Sequence, residues 1–380
     1  MSALQPFLSV IVPAHQAAGI LPMSLQALRA SHLPAEGWEL IVVDDASTDR
    51  TALVAAQFAD TVVRLAGNPH GPAYARNRGV EASRGDVIVF VDADVCVHPD
   101  TLSRFTALFA ARPEISAAFG SYDSRPPGPG FVSQYRNLLH HYVHLRGAGE
   151  AETFWAGCGA IRRAVFVAVG GFDEWHYFRP QIEDIELGRR LRLAGHRIVL
   201  DPEIQGAHLK RWTLRDVLTT DLAGRGVPWM WLMLQEGRSA AYTLNVRSPE
   251  RWTTALVWAS VLAALGALFW PHLVLLAEAA TAAALVLLLN QGFYRFLRRE
   301  RGLGFALAVM PLHALHYLSN GVSVFGGWLL HTLLGEPQLP ASAAALAAMG
   351  VKTWPPAHAR PSVGVWNRPL ERGAREAGSP

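Results

Sequence analysis

The chain has 380 residues, 51% of them hydrophobic and only 17% charged, against about 25% charged in an ordinary soluble domain. A formal net charge of +3 is too small to point to nucleic acid. Its two cysteines, Cys96 and Cys158, exclude a disulfide framework and a cysteine zinc site, and read as buried free thiols.

The apolar excess concentrates between Thr253 and Leu334, whereas the first 200 residues have the balance of a soluble enzyme. The opening MSALQPFLSVIVPAH lacks the basic segment and the long apolar run of a secretory signal. A cytosolic domain followed by a membrane domain is therefore expected.

Leu8 to Val12 (LSVIV), ended by Pro13, reads as a buried parallel strand, and Ile20 to Ser31 as a helix. Leu40 to Val43 is a second strand, stopped by Asp44 and Asp45. Ser47 to Asp49 supply caps for a helix through Ala59. Thr61 to Leu65 is a third strand, Pro72 to Ser83 a helix, and Val87 to Val91 a fourth strand closed by Asp92-Ala93-Asp94. Pro99 to Ala111 is helical. The alternation predicts an α/β fold with a doubly wound, mostly parallel sheet, which takes ligands beyond the carboxyl ends of its strands. Acidic residues stand at two of those ends.

Arg125 to Gly130 reads as a loop, and Tyr135 to Leu145 as a His-rich helix. Thr213 to Leu234 is amphipathic and aromatic, and is expected to lie on a bilayer surface. Thr253 to Trp270 and Leu273 to Leu289 are long enough to span, with Pro271-His272 as a tight connection. The basic stretch Tyr294 to Arg301 is expected as a cytosol-facing loop. Gly304 to Leu334, interrupted by Asn320, Gly321, Gly326 and Gly327, is one long span or a span plus a re-entrant piece. Three or four spans, in a multi-pass protein of the cell membrane, are expected. Glu278, inside an apolar stretch, is costly in lipid. It pairs with His272, meets a polar acceptor, or faces another helix.

The chemistry points to Asp92 and Asp94. Two carboxylates on alternate residues at a strand end suit Mg²⁺ or Mn²⁺, hard cations that prefer oxygen ligands and leave positions open for a diphosphate. The alternative is a pair of turn or capping aspartates. The absence of Gly-x-Gly-x-x-Gly after the first strand argues against a dinucleotide enzyme.

In order, SVIVPAHQ, WELIVVDDASTDRT, NPHGPAYARNRGVEASRGDVIVFVDADV, GGFDE and Glu183-Asp184 resemble the family 2 glycosyltransferases of the GT-A fold over roughly residues 7 to 212. The resemblance implies an inverting, metal-dependent transferase using a UDP- or GDP-linked sugar. It implies that Pro13 and Asp44 line the nucleoside pocket, that Arg76 sits near the diphosphate, and that Asp92 contacts the ribose or sugar. Asp94 would hold the metal most directly, with Asp92 as a further ligand and His208 either a metal or diphosphate contact or a satisfied structural histidine. Asp45 is a ligand contact or a helix cap. Asp184 corresponds to the general base, with Glu183 and Glu186 as neighbouring alternatives. Trp155 and Gly157, in FWAGCGAIRR, resemble the acceptor side, where the indole would face a sugar or sit in the core. Arg211 and Trp212, in HLKRW, are placed on the acceptor side as well.

Two departures matter. His208 stands where processive members carry Gln of Gln-x-x-Arg-Trp, which argues against polymer synthesis. His15-Gln16 replaces the usual aromatic-Asn and leaves the base preference open. His140, His141 and His144 could mimic a metal site but read as a partly exposed helix face near the acceptor. The expected organisation is a catalytic domain over 1–212, an interfacial helix and linker over 213–250, membrane helices over 251–335, and a disordered tail over 336–380. The function implied is transfer to a lipid or lipid-linked glycan acceptor at the cytosolic face. Alternatives are a processive polysaccharide synthase or an inactive membrane scaffold.

Overall fold

The computed structural model describes residues 6–177, 179–235, 248–270 and 273–334. The chain opens with β1 (Leu8–Ala14), α1 (Leu21–Arg29), β2 (Trp38–Asp44), α2 (Thr51–Ala55), β3 (Thr61–Arg64), α3 (Pro72–Ala82) and β4 (Val87–Val91). These strands are apolar on both faces because both faces are covered. Leu8, Val10, Val12, Leu40, Val42, Val87 and Val89 pack into one core. The alternate residues Ile11, Ile41, Val43, Ile88 and Phe90 pack into another. Gly79 brings α3 onto β1, since a Cβ there would lie 2.4 Å from Ile11 Cγ2.

There follow β5 (Val95–Val97), α4 (Thr101–Ala111), β6 (Ile115–Tyr122), α5 (Phe131–Arg146), β7 (Gly149–Ala151), β8 (Cys158–Arg162), α6 (Arg163–Ala168), α7 (Glu183–Leu193) and β9 (Arg197–His208). The strand order is β3-β2-β1-β4-β8-β6-β9-β5, with β7 also on β9. The pairings among β1 to β4 are parallel, as is β6 with β9. The remaining pairings are antiparallel. The expected α/β sheet is present, parallel across β1 to β4 and mixed beyond them. β8 enters at the carboxyl edge, with Cys158 opposite Val91, and runs against both neighbours. That reversal sets residues 155–157 beside the end of β4.

Beyond β9 come α8 (Leu214–Thr219), a wide π-type turn over Thr220–Gly226, and α9 (Val227–Gln235). Thr213 and Asp216 form a reciprocal cap at the start of α8. The run expected as a surface helix stays helical throughout and is widened in its middle turn. Its apolar face is also turned inward: Trp231 is 2% exposed, and Leu232 joins the core that holds Phe90.

The helical layer comprises α10 (Ser248–Phe269), α11 (Leu273–Leu289), α12 (Gln291–Arg301) and α13 (Leu303–Leu334). Close approaches build it. A Cβ on Gly327 would lie 2.7 Å from Met230 Cβ, and one on Gly321 would lie 1.9 Å from Trp258 Nε1. The glycines expected to interrupt the last stretch instead seat neighbouring helices, and α13 runs unbroken through Pro311. The basic stretch expected as a loop is α12. It buries Phe293 and Leu297 with Tyr135 and Val309, and leaves Arg295, Arg298 and Arg299 exposed.

Among the described residues, Pro249–Phe269 is the one helical stretch long and apolar enough to cross a membrane. α11 passes only together with α12, from which it bends by 61°. This count falls short of the three or four spans expected. Glu278 is exposed on α11. Pro271, His272 and residues 336–380 lie outside the described residues.

Candidate active site

The site forms where β4, β8, β9 and α7 converge. Asp92 follows β4 directly, and its backbone N–H donates to Gly157 O (3.1 Å). Asp94 opens β5, and the β5–β9 register sets Val95 opposite His208. His208 Nε2 therefore lies 3.3 Å from Asp94 Oδ2. The other ring nitrogen, Nδ1, is 2.7 Å from Asn137 Oδ1. With Nδ1 donating to Asn137, Nε2 faces the carboxylate, and the two meet through a proton on the ring or through a cation between them. Tyr122 stacks on the imidazole at 4.3 Å and fixes its plane. Burial raises the Asp94 carboxyl, but the bond and charge of His208 outweigh it, so its pKa falls below the ordinary value.

Asp92 is committed elsewhere. Its Oδ1 accepts from Arg76 at 2.7 Å, and the other arm of Arg76 donates to Glu183 Oε1 at 2.9 Å. Arg76 is 4% exposed and lies over the Phe172 ring at 5.4 Å. Burial works against its charge, yet Asp92 and Glu183 raise its pKa above the ordinary value. The residue expected near the diphosphate is thus a buried strut joining the strand end to the start of α7. Among the described residues no group of three or more His, Cys, Asp or Glu side chains could hold a metal ion. The three residues expected to share a metal are placed apart in role: Asp94 and His208 face one another, while Asp92 Oδ1 is held by Arg76.

Asp184, in the first turn of α7, accepts from Ala156 N–H (3.1 Å) through Oδ2 and from its neighbour Ile185 N–H (2.8 Å) through Oδ1. Burial and the adjacent Glu183 carboxylate push its pKa up to about 6, with Arg76 pulling the other way. Its rivals are occupied. Glu183 holds Arg76, and Glu186 receives both arms of a two-point contact from Arg190 at 2.6 and 2.7 Å.

Trp155 is half-buried, edge-on to Tyr122 at 4.8 Å. Gly157 makes room for it, since a Cβ there would meet the indole at 2.4 Å. Trp212 is 8% exposed, with Lys210 Nζ 4.0 Å over its ring, and Arg211 is exposed. His141 and His144 are buried, each with Nδ1 on a β6 carbonyl, so the partly exposed histidine face is corrected for these two. Burial drops His144 to about 3.

At the nucleoside end Pro13 is half-buried and Asp44 is 2% exposed, with Oδ1 accepting from Ser47 N–H. Asp45 accepts from the backbone N–H groups of His70 and Gly71 just before α3, and does not cap the helix expected after Ser47. Gln16, at φ 49°, bonds Thr48 and ties the loop after β1 to the loop after β2. GGFDE serves as a clamp: Asn77 donates to Phe172 O and to Glu174. Reading the sequence alone missed Asn137 and Tyr122, which orient His208, because neither sits in a motif.

This fold and edge define a GT-A catalytic domain. The model of the family described as "Glycosyl transferase family 2" matches residues 9–170. The glycosyltransferase AglE of Haloferax volcanii is 32% identical over 61% of this chain and 77% of its own length. The validoxylamine A glucosyltransferase of Streptomyces hygroscopicus is 27% identical over 53% of this chain and 55% of its own. A solved mannosyltransferase of Pyrobaculum calidifontis, in complex with GDP-Man and Mn²⁺, is 18% identical. It covers 87% of this chain and 88% of its own, with a TM-score of 0.48. The chain belongs to glycosyltransferase family 2 and is a glycosyltransferase with a nucleotide-sugar donor.

Proposed function

We propose that this chain is an inverting, metal-dependent transferase that moves a sugar from a UDP- or GDP-linked donor to a lipid or lipid-linked acceptor at the cytosolic face of a membrane. One observation carries the reading: the Asp94–His208 pair and the Asp184 carboxylate face one sheet edge, joined through Asp92, Arg76 and Glu183.

Asp94 and His208 fit a divalent cation with two protein ligands, which, when bound, would offset the charge developing on the departing nucleotide diphosphate. Asp184 takes the proton of the acceptor hydroxyl as its oxygen bonds to the anomeric carbon. The bond from that carbon to the diphosphate breaks, and its electron pair leaves with the phosphate oxygen. A carboxylate raised toward neutral pH is a better base than a free aspartate and is still ionised at pH 7. Pro13 and Asp44 flank the nucleoside, and Trp155 over Gly157 faces the acceptor. The membrane part of the reading rests on the exposed apolar surface of α10 and α11, where Leu268, Phe269 and Leu273 are 76%, 84% and 83% exposed.

The test screens detergent-solubilised protein against UDP- and GDP-sugars with Mn²⁺ or Mg²⁺ and lipid extract, following nucleotide release. Metal-dependent release from one donor, lost in Asp94→Ala, is expected. No release and no nucleotide binding, from folded protein, would establish the inactive scaffold.

A further inference from the structure

A cavity of about 910 Å³ lies between the catalytic domain and the helical layer. α5 forms its roof, the wide turn and α9 one wall, and α10 and α13 the others. Much of the lining is apolar, including Met230, Met233, Leu234, Phe293 and Val324. Its volume falls in the range of about 300–1,000 Å³ usual for small-molecule sites.

The charges at its head are uneven. Asp221 is buried and receives both arms of Arg136, while His316 Nδ1 approaches it at 3.1 Å. Arg225, four residues along the same wide turn, has no ion pair or hydrogen bond among the described residues, though it is only partly exposed. A partly buried guanidinium whose N–H groups meet no acceptor is an unfilled requirement. Helical turns of this wide kind gather at functional sites. His140 lines the same cavity, and its Nε2 is buried without a partner. Arg225 shares the cavity lining with His140, His144 and Asp221, and its charge is felt by all three and by Asp184.

We propose that this cavity is the acceptor site, and that Arg225 holds the phosphate of an amphiphile whose apolar tail runs along α9 and α13 toward the exposed helices. This rests on the lipid-acceptor reading above and adds the anionic group and the residue that takes it. A guanidinium fork matches phosphate oxygens in two-point contact. A neutral glycolipid would leave Arg225 unpaired, and a cationic headgroup would be repelled. Asp221, held by Arg136 and His316, offers no free acceptor to either.

The experiment measures binding of farnesyl phosphate, farnesol and inorganic phosphate to the full chain in detergent, for wild type, Arg225→Gln and Arg225→Lys. Nucleotide binding by each preparation reports that the catalytic domain is folded. Farnesyl phosphate should bind at least tenfold more tightly than farnesol, and Arg225→Gln should erase that difference while Arg225→Lys restores part of it. Equal binding of the alcohol and the phosphate, or indifference to Arg225→Gln, overturns the proposal. Inorganic phosphate binding as tightly as farnesyl phosphate also overturns it, since the site would then serve a free anion. Donor turnover on the same protein separates the two readings. Arg225-dependent lipid binding without turnover sinks the transferase reading alone, whereas turnover with Arg225-independent binding sinks this site alone.

Discussion

The catalytic domain and the helical layer solve opposite problems with their charges and their apolar side chains. In residues 6–235 the apolar groups are inside and ionic groups are brought to one edge, where Arg76 serves Asp92 and Glu183 and Arg190 serves Glu186. In residues 248–334 large apolar groups lie outside: among the described residues, 22 of the 29 exposed large hydrophobics belong to this stretch. That imbalance is what a nonpolar solvent around the helices would permit and water would penalise. One half thus stores its cost in buried charge, and the other in exposed hydrocarbon.

The sharpest way to break the comparison is Asp184→Asn. Removing a base from the charged edge should lower kcat by about 10²–10⁴-fold, measured as nucleotide release in saturating donor and acceptor. A fall of less than fivefold would assign the base elsewhere. Next is Arg76→Ala, which strands two carboxylates at once and should cost about 3–5 kcal/mol of stability by denaturant unfolding. The double variant Arg76→Met with Glu183→Gln should recover a good part of that. No recovery would mean that packing rather than charge makes the strut.

A third prediction concerns pH. As the proposed base, Asp184 would act deprotonated, and with its folded pKa at about 6, kcat should rise tenfold per pH unit below about 6 and level off above it. Stability runs the other way. Because the folded pKa is raised, the contribution of Asp184 is fully present below about 3.9 and is lost as pH rises through about 6. Asp184→Asn should flatten that slope, and an unchanged slope would place the proton uptake on another group. The smallest effect belongs to the other half. Leu265→Ser with Leu268→Ser should change detergent-state stability by less than about 0.5 kcal/mol per site, yet weaken partition into liposomes. Unchanged partition would return these helices to a protein interface.

The strands were readable because β1, β2 and β4 are short apolar runs stopped by Pro or Asp, and nothing else fits that pattern. Asp94, His208 and Asp184 were singled out by motif order, and the fold brings Asp94 and His208 together. What remained hidden needed distance along the chain to be collapsed. The reversal at β8, the commitment of Asp92 to Arg76 and of Asp45 to the start of α3, and the Asn137 bond to His208 all join residues far apart in sequence. In the helical layer, glycine reads the same whether it breaks a helix or seats one. Gly321 and Gly327 proved to seat Trp258 and Met230. Arg225 carried no signal at all, since an unpaired cation is visible only once its neighbours are in place.

The pairing of β5 with β9 has one more consequence. Asp94 and His208 are fastened across adjacent strands of a single ladder, so the ladder sets their spacing, while Tyr122 and Asn137 hold the imidazole in place. Loops between α4 and α7 that spare Tyr122, Asn137 and Gly157 can be lengthened, trimmed or exchanged while the proposed donor end stays in register. A scaffold of that kind is suited to grafting: loops from another transferase placed between the two fixed residues would change what is glycosylated and leave the donor machinery as it stands.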